Sequence, residues 1–157
     1  MGTRSLTTFI ETRKDKDTKK VYKNKIVTMY RQYDGYPTGH GVDLAEFLSK
    51  GKMVNGIGMA EKQLQFNGMG CLSAQVVAHM KDGSGGIYLQ SASKGSGEDY
   101  RYEVISGYDE TFKPLGITLK VYEVGYMRGE TYIDRAKCIF EGTPQEFLKS
   151  DLLKKEE

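Results

Sequence analysis

Ile117-Thr118-Leu119-Lys120-Val121-Tyr122-Glu123-Val124 repeats with a period of two. Ile117, Leu119 and Val121 fall on one side of a strand, and Thr118, Lys120 and Tyr122 on the other. One face therefore looks inward and the other meets solvent, the signature of an antiparallel sheet covered on one side. Nearby, Ile87-Tyr88-Leu89, Tyr100 to Ile105 and Tyr132 to Phe140 read as further strands. Upstream, Ser5-Leu6-Thr7-Thr8-Phe9-Ile10 and Val21 to Arg31 are rich in β-formers. They flank the polar turn Lys14-Asp15-Lys16-Asp17, so the pair is expected to be a hairpin.

Between hairpin and strands the spacing becomes helical. In Val42 to Lys50, Leu44, Phe47 and Leu48 share a face and Gly51 supplies a stop. A second helix is expected from about Gly70 to Lys81, with Leu72, Val76 and Met80 as its core stripe and Ala74 and Ala78 allowing close packing. Asp82-Gly83-Ser84-Gly85-Gly86 breaks it, and Ser93 to Asp99 reads as a flexible connection. Thr143-Pro144-Gln145-Glu146 is a capping box with proline at the first helical position, and Phe147, Leu148, Leu152 and Leu153 can dock that short helix on the sheet. The order ββ, αα, ββββ, α predicts an α+β fold: one antiparallel sheet, made of the N-terminal hairpin and the C-terminal strands, packed with two central helices and a short C-terminal helix. Residues 1–157 read as a single domain.

Composition bounds the function. Hydrophobic residues make up 38% and charged residues 28% of 157, a globular balance. The two cysteines, Cys71 and Cys138, form no CxxC pair, which argues against a disulfide scaffold and a zinc site. Two scattered histidines complete no ligand set, so neither metal nor other cofactor is expected. No apolar run is long enough to span a bilayer and no signal-peptide core is present, so the expected address is cytoplasmic, away from membranes. Lys and Arg number 23 against 21 acids, a net charge of +2, too balanced to advertise nucleic-acid binding. The charge is unevenly placed: seven basic residues and two acids lie between Arg13 and Lys25. That block reads either as a solvated hairpin tip or as a lip attracting a polyanion.

Tyr30-Arg31-Gln32-Tyr33-Asp34-Gly35-Tyr36-Pro37-Thr38-Gly39-His40-Gly41 follows a strand and feeds a helix. Its glycines let backbone approach a ligand, and the helix entrance favours an anion. Arg31, Gln32, Asp34 and His40 offer donors and acceptors; Tyr30, Tyr33 and Tyr36 offer rings for stacking. A well-made turn whose polar groups satisfy one another explains the same residues. A second glycine-rich turn, Phe66-Asn67-Gly68-Met69-Gly70-Cys71, lacks the P-loop lysine, but amides near Asn67, Gly68 and Gly70 form a candidate second anion turn. Cys71, in the first turn of a helix, is a conceivable nucleophile with His40 or His79 as base and Asp34 as orienter. Burial as a small apolar residue is the plainer account of Cys71.

Met1-Gly2-Thr3-Arg4-Ser5-Leu6-Thr7, with Tyr30-Arg31-Gln32 and Asp34-Gly35-Tyr36-Pro37-Thr38-Gly39-His40-Gly41, resembles a group of small, largely uncharacterised bacteriophage and bacterial proteins. These begin Met-Gly-Thr-Arg and carry a Gln-x-Asp-Gly-Tyr-Pro-x-Gly-x-Gly signature after a short hairpin. The resemblance covers the first third of the chain, and Phe66 to Gln75 is similar to a subset of the group. Members often carry glutamine at the position of His40 and tryptophan at that of Tyr33. A general base cannot become glutamine, whereas a hydrogen-bonding contact can, so the resemblance implies recognition rather than catalysis. It also draws in Arg4, expected near Arg31 and Gln32 across the hairpin.

The leading expectation is a phage-type accessory protein binding a small anionic, nucleotide-like ligand, with sequestration of a defence signal in the host cytoplasm as the role the resemblance implies. Its site would be Arg4, Arg31, Gln32, Tyr33, Asp34, Tyr36, Gly39, His40 and Gly41. The alternatives are a Cys-dependent hydrolase or transferase using Cys71, His40 and Asp34, and a protein-binding module presenting a tyrosine-rich sheet. A homodimer is compatible with each.

Overall fold

The computed structural model describes residues 2–58, 62–91, 97–128, 131–133 and 136–154, with backbone alone at 126–128 and 131–133. The β-former stretches at the N-terminus become β1 (Ser5–Lys14) and β2 (Val21–Arg31). They pair antiparallel from Ser5 opposite Arg31 to Lys14 opposite Val21, with a bulge at Phe9/Ile10. Asp15 folds the turn by accepting the backbone N–H groups of Asp17 and Thr18, both at 2.8 Å, and those bonds hold its carboxyl below the usual range.

After a π-helical turn at Pro37–Gly41 come α1 (Val42–Ser49), β3 (Gly51–Met53), β4 (Leu64–Phe66) and α2 (Met69–Met80). Next are β5 (Ile87–Gln90), β6 (Tyr100–Tyr108), β7 (Thr118–Glu123), β8 (Tyr126–Arg128), β9 (Thr131–Ile133), β10 (Lys137–Gly142), α3 (Pro144–Leu148) and a 3-10 turn at Asp151–Lys154. Thr143 and Glu146 close the capping box at both bonds, 3.1 and 2.9 Å.

The main sheet has the order β10-β7-β6-β1-β2-β5. It is mostly antiparallel, as the alternation of Ile117 to Val124 implied, but mixed, because β6 lies parallel to β1. The departure has a topological cause. β5 docks antiparallel on β2, and the chain then crosses to the far side of the hairpin, so β5 and β6 run in the same direction. β1 is thereby central and buried on both faces, with Leu6 and Ile10 on one and Thr7 and Phe9 on the other. The second, parallel pair β3–β4 has three residues per strand, too short to announce itself by periodicity. The expected Tyr132 to Phe140 strand is two elements, β9 and β10, and residues 134 and 135 lie outside the described residues, as do 93–96 of the expected connection.

The core lies on the Thr7 and Phe9 face. Register places Phe9 level with Val104, and Val104 with Leu119; Leu44, Leu48, Leu72, Val76 and Phe147 from the three helices complete the cluster. Burying such side chains is worth roughly 1.5–3 kcal/mol each. Ala74 and Ala78, expected to allow close packing, face solvent instead, because the buried stripe of α2 is Met69, Leu72, Ser73 and Val76. No helix among the described residues is long and apolar enough to cross a membrane.

Candidate functional site

The Tyr30–Gly41 segment closes the mouth of the hairpin where β1 begins. Gln32 N–H donates to Gly86 O at 2.8 Å and Gly35 N–H to Thr3 O at 2.9 Å, tying the loop to the strands on both sides. Asp34 takes a left-handed conformation, φ 59°, which aspartate tolerates better than most residues. Its carbonyl then accepts His40 N–H at 2.8 Å. Gly35 lies flat on β1: a Cβ there would stand 2.8 Å from Ser5 N. Its carbonyl accepts the Tyr102 hydroxyl at 2.7 Å.

These bonds decide what the helix entrance can do. Gly39 N–H goes to Tyr36 O, His40 N–H to Asp34 O, and the N–H of Val42 to Gly39 O and Pro37 O. A Cβ on Gly39 would meet Asp34 O at 2.7 Å, and one on Gly41 would meet the Phe147 ring at 2.7 Å. The amides expected to cradle an anion are thus satisfied within the turn, and the glycines are there for packing. Tyr36 also folds back, its ring against Gly39 and its hydroxyl donating to Asp34 Oδ1 at 3.3 Å.

His40 is fully buried, edge-on to Tyr102 at 4.8 Å between ring centroids. Its Nδ1 lies 3.2 Å from Arg31 Nη1 and its Nε2 2.7 Å from Thr7 Oγ1. A guanidinium only donates, so Nδ1 accepts, and the ring proton sits on Nε2, donating to Thr7. Burial, with the Arg31 charge adding, pushes its pKa down to about 3. His40 is a neutral strut between strand and arginine, and its second ring nitrogen is engaged by a hydroxyl.

Arg31 receives what the strut provides. Its Nε donates to Tyr33 O at 3.0 Å, and Nη1, besides His40, lies 3.8 Å from Asp43 Oδ2. Asp43 Oδ1 in turn is 3.1 Å from His79 Nε2, whose ring stacks on Phe47 at 4.5 Å. Among the described residues Arg31 Nη2 has no hydrogen-bond partner. Arg31 opens into a cleft of about 200 Å³ walled by Tyr33, Met80, Asp82, Gly85, Gly86 and Ile87. The Tyr33 ring, 52% exposed, stands at its lip.

Arg4 does not join Arg31. It lines another cleft, about 530 Å³, with Gly2, Thr3, Asp99, Tyr100 and Glu123 among its walls. Gly2 packs against Tyr33, where a Cβ would come within 2.6 Å of Tyr33 Cβ, so that contact stands between the two clefts. Gln32 and Asp34 are exposed on the loop's rim.

The second glycine-rich turn lies elsewhere. Gly68, φ 89°, caps α2 beside Glu11 and Tyr108, and Asn67 Oδ1 is committed to Gly56 N–H at 2.9 Å. Gly35 touches Ser5 while Gly68 neighbours Glu11, so roughly 20 Å of β1 separates the turns. The Glu11 carboxylate already faces that helix end, where a second anion would be repelled. Cys71 is half-buried and accepts from Gln75 Nε2 at 3.1 Å. With His40 bonded to Thr7 and Arg31, and His79 to Asp43, the Cys71–His40–Asp34 relay is not assembled.

Thr7, Asp43, Tyr102 and the Gly85–Gly86 wall belong to the site without having been legible as such in the sequence. Only the glycine cluster carried a signal, and it read as a helix breaker. Comparison with protein-family models, curated proteins and solved structures finds no match to this chain.

Proposed function

We propose that this protein binds a small anion, one phosphate or carboxylate group of a nucleotide-like molecule, in the cleft between Tyr33 and the Gly85–Gly86 loop. The observation that carries the reading is the Arg31 guanidinium. Tyr33 O, His40 Nδ1 and Asp43 hold two of its three nitrogens, Nη2 has no partner among the described residues, and the side chain, only 20% exposed, lines the cleft. A cation fixed in advance loses little entropy when it binds, and a half-buried one is weakly screened by water.

The cleft's volume, about 200 Å³, is below the range for a whole drug-sized ligand, so it takes the anionic group while a base or sugar lies over Tyr33. Asp82 on the wall and Asp43 behind the arginine disfavour accumulated negative charge, so a monophosphate is preferred to a triphosphate. The resemblance to phage proteins is compatible with sequestration of a host nucleotide signal, and the neutral, buried His40 favours holding over cleaving.

Thermal shifts across a panel of nucleoside mono-, di- and triphosphates test the reading. A ligand at 100 times its Kd adds about 2.7 kcal/mol. A monophosphate is expected to raise the melting temperature most. Arg31→Lys should remove that shift, and Tyr33→Ala, at an exposed side chain, should weaken it without unfolding the chain. A panel without effect, or shifts that persist unchanged in Arg31→Lys, overturns the assignment.

A further inference from the structure

The far end of the hairpin is built differently from the rest of the sheet. β5 pairs with β2 only across Thr28–Arg31, so among the described residues no strand lies along the outer edge of 21–27. Residues 21–25 are all exposed, Val21 by 53% and Tyr22 by 51%. Register sets Lys25 opposite Ile10 and Lys23 opposite Thr12, so these two lysines share one face of the ribbon, while Tyr22 and Asn24 share the other. Of the nearby acids, Asp15 accepts the turn's N–H groups, Glu110 lies 3.9 Å from Lys19, and Glu11, opposite Asn24, falls on the Tyr22 face of the ribbon. Lys23 and Lys25 have no acidic partner among the described residues.

We propose that this edge receives an extended acidic segment of another protein as an added strand. Carboxylates at alternate positions face Lys23 and Lys25, and apolar residues between them lie beside Tyr22. Two observations select this occupant. An unpaired strand edge displays N–H and C=O groups in register, which another peptide backbone satisfies and a lipid surface or nucleic acid does not. The free cations are spaced two residues apart on one face, which matches an alternating acidic strand. A second copy of this edge would set lysine against lysine.

The probe is a fluorescein-labelled (Val-Glu)4 peptide followed by anisotropy at physiological salt. Wild-type protein is expected to bind it, and to bind a scrambled peptide of the same composition at least tenfold more weakly. Of two isomers N-methylated on alternate residues, one should lose binding and the other keep it, since an edge strand bonds through every second N–H. Lys23→Glu/Lys25→Glu should weaken binding at least tenfold with an unchanged melting temperature; Lys23→Gln/Lys25→Gln serves if that pair fails to fold. Absence of binding would make the lysines a guard against edge-to-edge aggregation. Equal affinity for the scrambled and N-methylated peptides would reduce the contact to charge alone. Displacement by lower concentrations of a dT12 oligonucleotide or of phosphatidylserine vesicles than of unlabelled peptide would assign another partner. Each of these three results overturns the proposal.

Discussion

The two ends of one hairpin carry similar densities of polar side chains and use them in opposite ways. At the Ser5/Arg31 end, Thr7, His40, Arg31 and Asp43 form a chain in which each group is fixed by the next. At the Lys14/Val21 end, Lys23 and Lys25 are exposed beside an edge that no strand among the described residues pairs with. The difference comes from what packs above the strand. The Pro37–Gly41 turn and α1 close over the first end, so most polar groups there are paired with one another; among the described residues Ser5 Oγ is left buried without a partner. At the second, the 109–115 loop meets Arg13 and Lys19 but leaves residues 21–25 exposed. Residue type announces polarity; burial decides whether that polarity becomes a scaffold or a surface.

The largest expected effect comes from disrupting the closed end at its tightest approach. Gly35→Ala places a methyl 2.8 Å from the backbone nitrogen of Ser5, which cannot move without disturbing the sheet. A loss of about 3 kcal/mol or more is expected by urea denaturation.

His40→Gln probes the same end through pH. The folded chain keeps His40 neutral down to about pH 3, whereas an unfolded histidine titrates near its ordinary value of 6.5. Between those values the unfolded state binds the extra proton. The contribution of His40 is therefore complete above pH 6.5 and falls as pH drops through that window, on the order of 1 kcal/mol per pH unit. Glutamine can accept from Arg31 and donate to Thr7 but does not titrate, so the variant should lose this slope. Urea midpoints at pH 7, 5.5 and 4.5 measure the difference.

Much of the fold was legible because it rests on local periodicity. The alternation in Ile117 to Val124, the helical spacing of Leu44, Phe47 and Leu48, and the Thr143 capping box each name their element. The parallel contact of β1 with β6 was not legible, since it depends on where a crossover lands rather than on any residue pattern. The candidate site was half legible. Tyr30 to Gly41 was found as the informative stretch, but its glycines read equally as ligand approach and as close packing. Only the position of Ser5, Asp34 O and Phe147 against them settles which. Convergence of Arg4 with Arg31 was expected from strand adjacency, and the Gly2–Tyr33 contact that separates their clefts involves no motif.

Smaller effects are expected away from the loop. Thr143→Ala removes the capping bond to Glu146 N–H and should lower the melting temperature by about 3 °C. Lys23→Ala with Lys25→Ala, at the open end, should change stability by less than about 0.5 kcal/mol.

The closed end depends on the signature loop being a scaffold in which a neutral His40 holds Arg31. Nitrogen-15 NMR of the His40 ring from pH 7.5 to 4.5 reads that state without a substitution. A single Nε2–H tautomer, with ring shifts that stay flat across the range, is expected; a titration with midpoint near 6.5 would contradict it.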